Sequence, residues 1–113
     1  MPEYFDARSI PSITPTEARR RVQEEEAALI DVREPEEYLA GHAEGAVNIP
    51  LSSFRERYQD IPQQGAVLLI CHVGQRSLMA AAFMRNQGWR HVFNVEGGTD
   101  EWEAMRLPMT FPG

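Results

Sequence analysis

Short apolar blocks alternate along this chain with polar or amphipathic stretches. Ala27-Ala28-Leu29-Ile30-Asp31-Val32 reads as a buried strand, and Ala46-Val47-Asn48-Ile49-Pro50 as a shorter one stopped by its proline. Ala66 to Cys71 is an unbroken apolar run of strand length, and Val92-Phe93-Asn94-Val95 is another short strand. Helical segments lie between them. Thr14-Pro15-Thr16-Glu17 is a helix start, with Thr14 as N-cap, Pro15 at the first helical position and Glu17 at the third. That helix is expected from Pro15 to Glu25, with Ala18 and Val22 on its inner face. Glu34 to Leu39 predicts a short helix with Pro35 in its first turn. Leu51 to Ile61 predicts another, with Leu51, Phe54 and Tyr58 on one side. Ser77, as N-cap, opens a helix that runs to about Gln87 and ends at Gly88. After Gly97-Gly98 a last helix runs from about Thr99 to Met105.

Strands alternating with helices argue for an α/β fold: a mostly parallel central sheet with helices on both faces. Residues 1–12 carry no period and read as an extended or loose arm, residues 13–108 as one domain, and residues 109–113 as a tail. Gly41 to Gly45 reads as a loop. In such sheets ligands sit beyond the carboxyl ends of the strands. Cys71 is expected at that edge, with Asp31 and Asn94 ending their strands nearby.

Length and charge narrow the function classes. The 113 residues suit one domain, and 42% hydrophobic with 25% charged is ordinary for a globular chain. No apolar run approaches the ~18 residues of a membrane helix, and the N-terminus lacks the basic start and apolar core of a signal peptide. A single cysteine cannot close an internal disulfide, which fits a reducing cytoplasm. The net charge of −6 makes nucleic acid and anionic membranes poor partners. Every basic residue is arginine, so a cation beside any site must be Arg or His.

The chemistry concentrates at residues 66–77, AVLLICHVGQRS. The pattern is strand, tight loop, helix, with the thiol of Cys71 at the strand's end. A helix start presents free N–H groups and the positive end of its dipole, an environment that favours an anion, here a thiolate. His72, Val73, Gly74, Gln75 and Arg76 are expected to wrap the sulfur with several amides pointing inward. Gly74 fits the sharp turn. Arg76 either binds an anionic substrate or braces the loop against carbonyls or a nearby carboxylate. His72 reads as a rim residue. Read by itself, the cysteine would sooner be a small buried hydrophobe; the loop and helix start that follow reverse that preference. A metal site is not expected, since Cys71 and His72 are adjacent and no second cysteine exists.

Four blocks in order give the chain a wider likeness. They are Leu29-Ile30-Asp31-Val32-Arg33-Glu34-Pro35-Glu36-Glu37-Tyr38, then Gly41-His42-Ala43-Glu44-Gly45-Ala46-Val47-Asn48-Ile49-Pro50-Leu51, then Cys71 to Ser77, and finally Glu96-Gly97-Gly98 with Trp102. With them the chain resembles the rhodanese-like sulfurtransferase domains, in particular their small stand-alone members. The resemblance implies that Cys71 is a nucleophile that carries a sulfane sulfur as a persulfide, cradled by His72 to Ser77, with no separate cofactor. It implies a donor such as thiosulfate, an acceptor such as cyanide or a thiol, and a possible relay protein as partner. Asp31 and Arg33 belong to the family's first block; locally they suggest loop bonds, capping, or an Arg33–Glu37 ion pair. His42 reads as a turn-ordering residue, Gly97 and Gly98 as a tight strand-to-helix turn beside the site, and Trp102 as core or pocket wall.

Two other functions compete. A sulfur carrier or docking module would load sulfur without fast turnover. A cysteine phosphatase or arsenate reductase would use the same cysteine, loop and arginine on an oxyanion. Four residues separate Cys71 from Arg76, one fewer than in the cysteine phosphatases, which makes a cradle tight for a tetrahedral phosphate.

Overall fold

Five parallel strands form the central sheet of the computed structural model, which describes residues 7–112. In chain order the elements are β1 (Ser12–Ile13), α1 (Pro15–Glu25), β2 (Ala28–Asp31), α2 (Pro35–Ala40), β3 (His42–Ala43), β4 (Val47–Asn48), α3 (Phe54–Arg57), β5 (Val67–Ile70), α4 (Gln75–Asn86), β6 (Val92–Val95), α5 (Gly98–Ala104) and β7 (Met109–Thr110). The spatial order is β1-β6-β5-β2-β4. The chain leaves β2 outward to β4, then returns to β5 on the other side of β2. That reversal opens a crevice at the carboxyl edge, where α/β sheets bind ligands.

Alternation along the strands divides the core in two. Ile30, Val67, Leu69 and Val92 face Phe54 of α3 and Ala80, Ala81 and Met84 of α4. Leu29, Leu68, Ile70 and Val95 face Ala18 of α1 and Trp102 of α5. A strand buried on both faces must be apolar at every position, which is why Val67 to Ile70 reads as an unbroken run.

Helix α1 holds its expected bounds: the Glu17 amide donates to Thr14 Oγ1 at 3.1 Å. Elsewhere the sequence expectations need correction. Residues 51–61 are not one helix. Two 3-10 turns, Leu51–Ser53 and Tyr58–Asp60, flank the single α-turn of α3. Ser52 there gives its hydroxyl to Glu34 Oε1 at 2.7 Å, a tie from the first 3-10 turn to the start of α2. Phe54 and Tyr58, both edge-on to Phe83, anchor the segment together with the buried Ile61 and the partly buried Leu51.

The expected 41–45 loop contains β3, which pairs antiparallel with β7 inside the expected tail: His42 opposes Thr110 and Ala43 opposes Met109. The tail is therefore docked. The part of the N-terminal arm within the described residues is also fixed, by a 3-10 turn at Ala7–Ser9, the buried Ile10, and β1 paired to β6. Residues 1–6 lie outside the described part. Among the described residues no helix is long and apolar enough to cross a membrane.

Candidate active site

Cys71 follows the last residue of the central strand β5. Its flanking strands supply Asp31, the last residue of β2, and Asn94, one residue short of the end of β6. Cys71 is only 1% exposed, yet its sulfur is not in sealed hydrocarbon: the Gly74 amide donates to Sγ at 3.1 Å, and Ser77 Oγ lies 3.2 Å from it. Of the several inward amides expected, this one reaches the sulfur. Helix α4 begins at Gln75, earlier than the expected Ser77, and Gly74 is its N-cap at φ +104°. A residue with that φ is left-handed, so glycine carries the turn. Ser77 therefore sits inside the first helical turn, where its side chain turns inward instead of capping.

Ser77 is fully buried, and its hydroxyl also reaches Asn94 Oδ1 at 2.5 Å. One hydroxyl hydrogen serves one acceptor at a time. The shorter of its two contacts is to Asn94. Asn94 Nδ2 donates in turn to Ser12 Oγ at 3.3 Å, which ties this network to β1.

The loop's backbone is pinned from α5. The Thr99 amide and hydroxyl both donate to the Cys71 carbonyl, at 2.7 and 2.9 Å, and the Asp100 amide donates to the His72 carbonyl at 3.1 Å. Gly97 and Gly98 make the expected tight turn into α5, with φ +74° and +62°. A Cβ on Gly98 would lie 2.5 Å from the His72 carbonyl oxygen and 2.6 Å from that of Cys71. The site thus needs a bare backbone at Gly98.

Arg76 braces the loop. It makes a bidentate pair with Glu37 of α2, at 2.8 and 2.9 Å, with about a third of each side chain exposed. The guanidinium holds Glu37 down to about 2, well below the usual carboxylate range. Arg76 is raised in return, chiefly by its hydrogen bonds to Glu37. The expected Arg33–Glu37 pair does not form. Arg33 is buried instead against Asp31, at 2.8 Å, and donates to the Gly41 carbonyl at 2.8 Å, so both residues order the loop after β2. Burial raises the Tyr38 hydroxyl; it donates to the Ala46 carbonyl, while the Tyr38 ring stacks on His42.

At the rim His72 is about half exposed and lies 2.9 Å from Asp100. Val73 and Gln75 are exposed. Trp102 is fully buried in the α1/α5 core, its indole donating to the Pro108 carbonyl, so it is core and no pocket wall. Sequence reasoning missed Thr99 and Asp100, and of the carboxylate brace it foresaw for Arg76 it did not name Glu37. Thr99 had a signal, as a hydrogen-bonding residue directly after a double glycine. Nothing local marked Glu37, which lies far from Arg76 in sequence.

The rhodanese-like domain model matches residues 14–105. The Bacillus subtilis protein YrkF, whose name proposes it as a sulfur carrier, is 39% identical over 98 residues, 86% of this chain and 53% of YrkF. The chain therefore spans about half the length of that relative. A rhodanese-related protein from Thermoplasma volcanium superposes with a TM-score of 0.82 at 29% identity, over 89% of this chain and 98% of that one. The human single-domain sulfurtransferase TSTD1 superposes with a TM-score of 0.75 at 27% identity, over 83% and 96%.

Proposed function

The chain belongs to the rhodanese-like domain family, and from that premise we propose that it is a sulfurtransferase whose Cys71 carries a sulfane sulfur as a persulfide. One observation supports this reading above the others: the lone thiol ends the central strand under a glycine-turned loop, with the Gly74 amide and the Ser77 hydroxyl on its sulfur.

The reaction is a double displacement. The Cys71 thiolate attacks the outer sulfur of a donor, thiosulfate in the simplest case. The donor's S–S bond breaks and its electron pair leaves with sulfite. An acceptor, cyanide in an assay or a thiol in the cell, then attacks the outer sulfur of the persulfide and regenerates the thiolate. The covalent intermediate divides one hard transfer into two easier ones. The chain's own residues supply placement: Gly74 and Ser77 hold the inner sulfur, and Thr99 and Asp100 fix the carbonyls behind it. Thr99 and Glu37 are thus positioning residues. A cytoplasmic setting with a sulfur-relay partner completes the reading.

A second reading, a carrier with little turnover, is favoured by the name of YrkF and by the neutralised Arg76. Mass spectrometry after donor exposure tests the first. A gain of about 32 Da, one sulfur atom, is expected on Cys71, lost with cyanide and absent in Cys71→Ser. Transfer that survives in Cys71→Ser would refute it. Loading without multiple turnover would favour the carrier.

A further inference from the structure

We infer that Glu37 and Asp100 set the charge of the sulfur donor, and that this site takes its sulfur from a hydropersulfide, R–S–SH, in preference to dianionic thiosulfate. The inference rests on the persulfide reading of Cys71. The three cations that border the Cys71 loop are each matched by a carboxylate. Arg33 is held by Asp31, and Arg76 by both oxygens of Glu37. His72 faces Asp100 at 2.9 Å. Protonated or not, that last pair carries no net positive charge. Exposed Glu96 and Glu101 flank the same turn, and the chain has no lysine that could offset them.

Charge counting then discriminates between donors. Attack of the Cys71 thiolate on thiosulfate gathers three negative charges and yields an anionic persulfide plus sulfite dianion. Attack on the outer sulfur of a hydropersulfide breaks its S–S bond and leaves Cys71–S–SH and R–S⁻, with one negative charge throughout, or two if the donor is ionised. No oxidant or reductant is consumed in either case. An edge whose cations are neutralised does little to offset the thiosulfate encounter, and like charges near a protein surface repel appreciably. The two carboxylates act through Arg76 and His72, not on the reacting atoms.

The test is the single-turnover rate of Cys71 loading, read by mass, with four probes: thiosulfate, cysteamine hydropersulfide (cationic), glutathione hydropersulfide (anionic) and albumin hydropersulfide. The albumin arm separates a protein source from a small-molecule source of the same group. Wild type should load from the small hydropersulfides faster than from thiosulfate. Added salt should speed only the anionic donors, thiosulfate most. Glu37→Gln should shift the ratio of thiosulfate to cysteamine-hydropersulfide loading on the order of fivefold toward thiosulfate, whatever it does to the two rates together. Asp100→Asn, at an exposed position, should act in the same direction and does not depend on the α2–α4 contact. Thiosulfate loading as fast as hydropersulfide loading, or a Glu37→Gln effect equal for all donors, would overturn the inference and leave the persulfide reading standing. No mass gain with any probe would remove that reading itself.

Discussion

Gly98→Ala is expected to destabilise the protein by about 3–5 kcal/mol and to slow sulfur loading of Cys71 with it. Two costs add. At φ +62° an L side chain is left-handed, which costs about 1–2 kcal/mol. The new Cβ would also fall 2.5 Å from the His72 carbonyl oxygen, 2.6 Å from that of Cys71 and 2.7 Å from the His72 carbonyl carbon. These are backbone atoms that cannot swing aside, so α5 and the loop must separate. Separation strains the three bonds from Thr99 and Asp100, each worth about 0.5–1.5 kcal/mol net. Gly65 provides the internal control: its φ is +81°, but a Cβ there meets nothing within 4 Å. Gly65→Ala should therefore cost only the backbone strain, about 1 kcal/mol, partly offset by a less flexible unfolded chain. Urea unfolding of both variants with a shared m-value measures the difference, and alkylation of Cys71 reports the loop. Equal midpoints for the two variants, or normal loading in Gly98→Ala, would refute the claim that this contact shapes the site.

Ser77→Ala should cost about 1–3 kcal/mol, because it leaves the buried Asn94 Oδ1 without its donor, and should slow sulfur loading at the same time; a Ser77→Thr variant that recovers the rate would tie the effect to the hydroxyl. The Glu37–Arg76 pair should survive mild acid. Glu37 is depressed from 4.5 to about 2 in the fold, so its contribution is full above 4.5 and fades as pH falls toward 2. Because both side chains are about a third exposed, that contribution should stay below about 1 kcal/mol. The stability gap between wild type and Glu37→Gln, followed by denaturation from pH 7 to 2, should hold to about pH 4.5 and then close; a gap that closes by pH 5 contradicts it.

What was legible in the sequence was local. Thr14, Pro15 and Glu17 mark the start of α1 by side-chain chemistry within one turn, and the apolar run before Cys71 marks a strand covered on both faces. The site's nucleophile candidate and its glycine turn were legible for the same reason. What stayed hidden depends on partners distant in sequence. The β3–β7 pair joins two-residue strands from opposite ends of the domain, too short for any periodicity. The choice between brace and substrate ligand for Arg76 turns on Glu37 of α2, and Arg33 prefers the buried Asp31 next to it over Glu37. The inward turn of Ser77 follows from the left-handed Gly74, which takes the N-cap position three residues before the one the hydroxyl suggests.

The solitary thiol has a practical corollary. With no second cysteine in these 113 residues, a Cys71 persulfide of the kind proposed has no internal exit by which a neighbouring thiol could resolve it into a disulfide. Under the proposed function, no group among these residues discharges it, and the lifetime of the cargo is set by whichever nucleophile arrives from outside. For the experimenter, every gram-atom of labile sulfur counted is one occupied molecule, without any need to map its position.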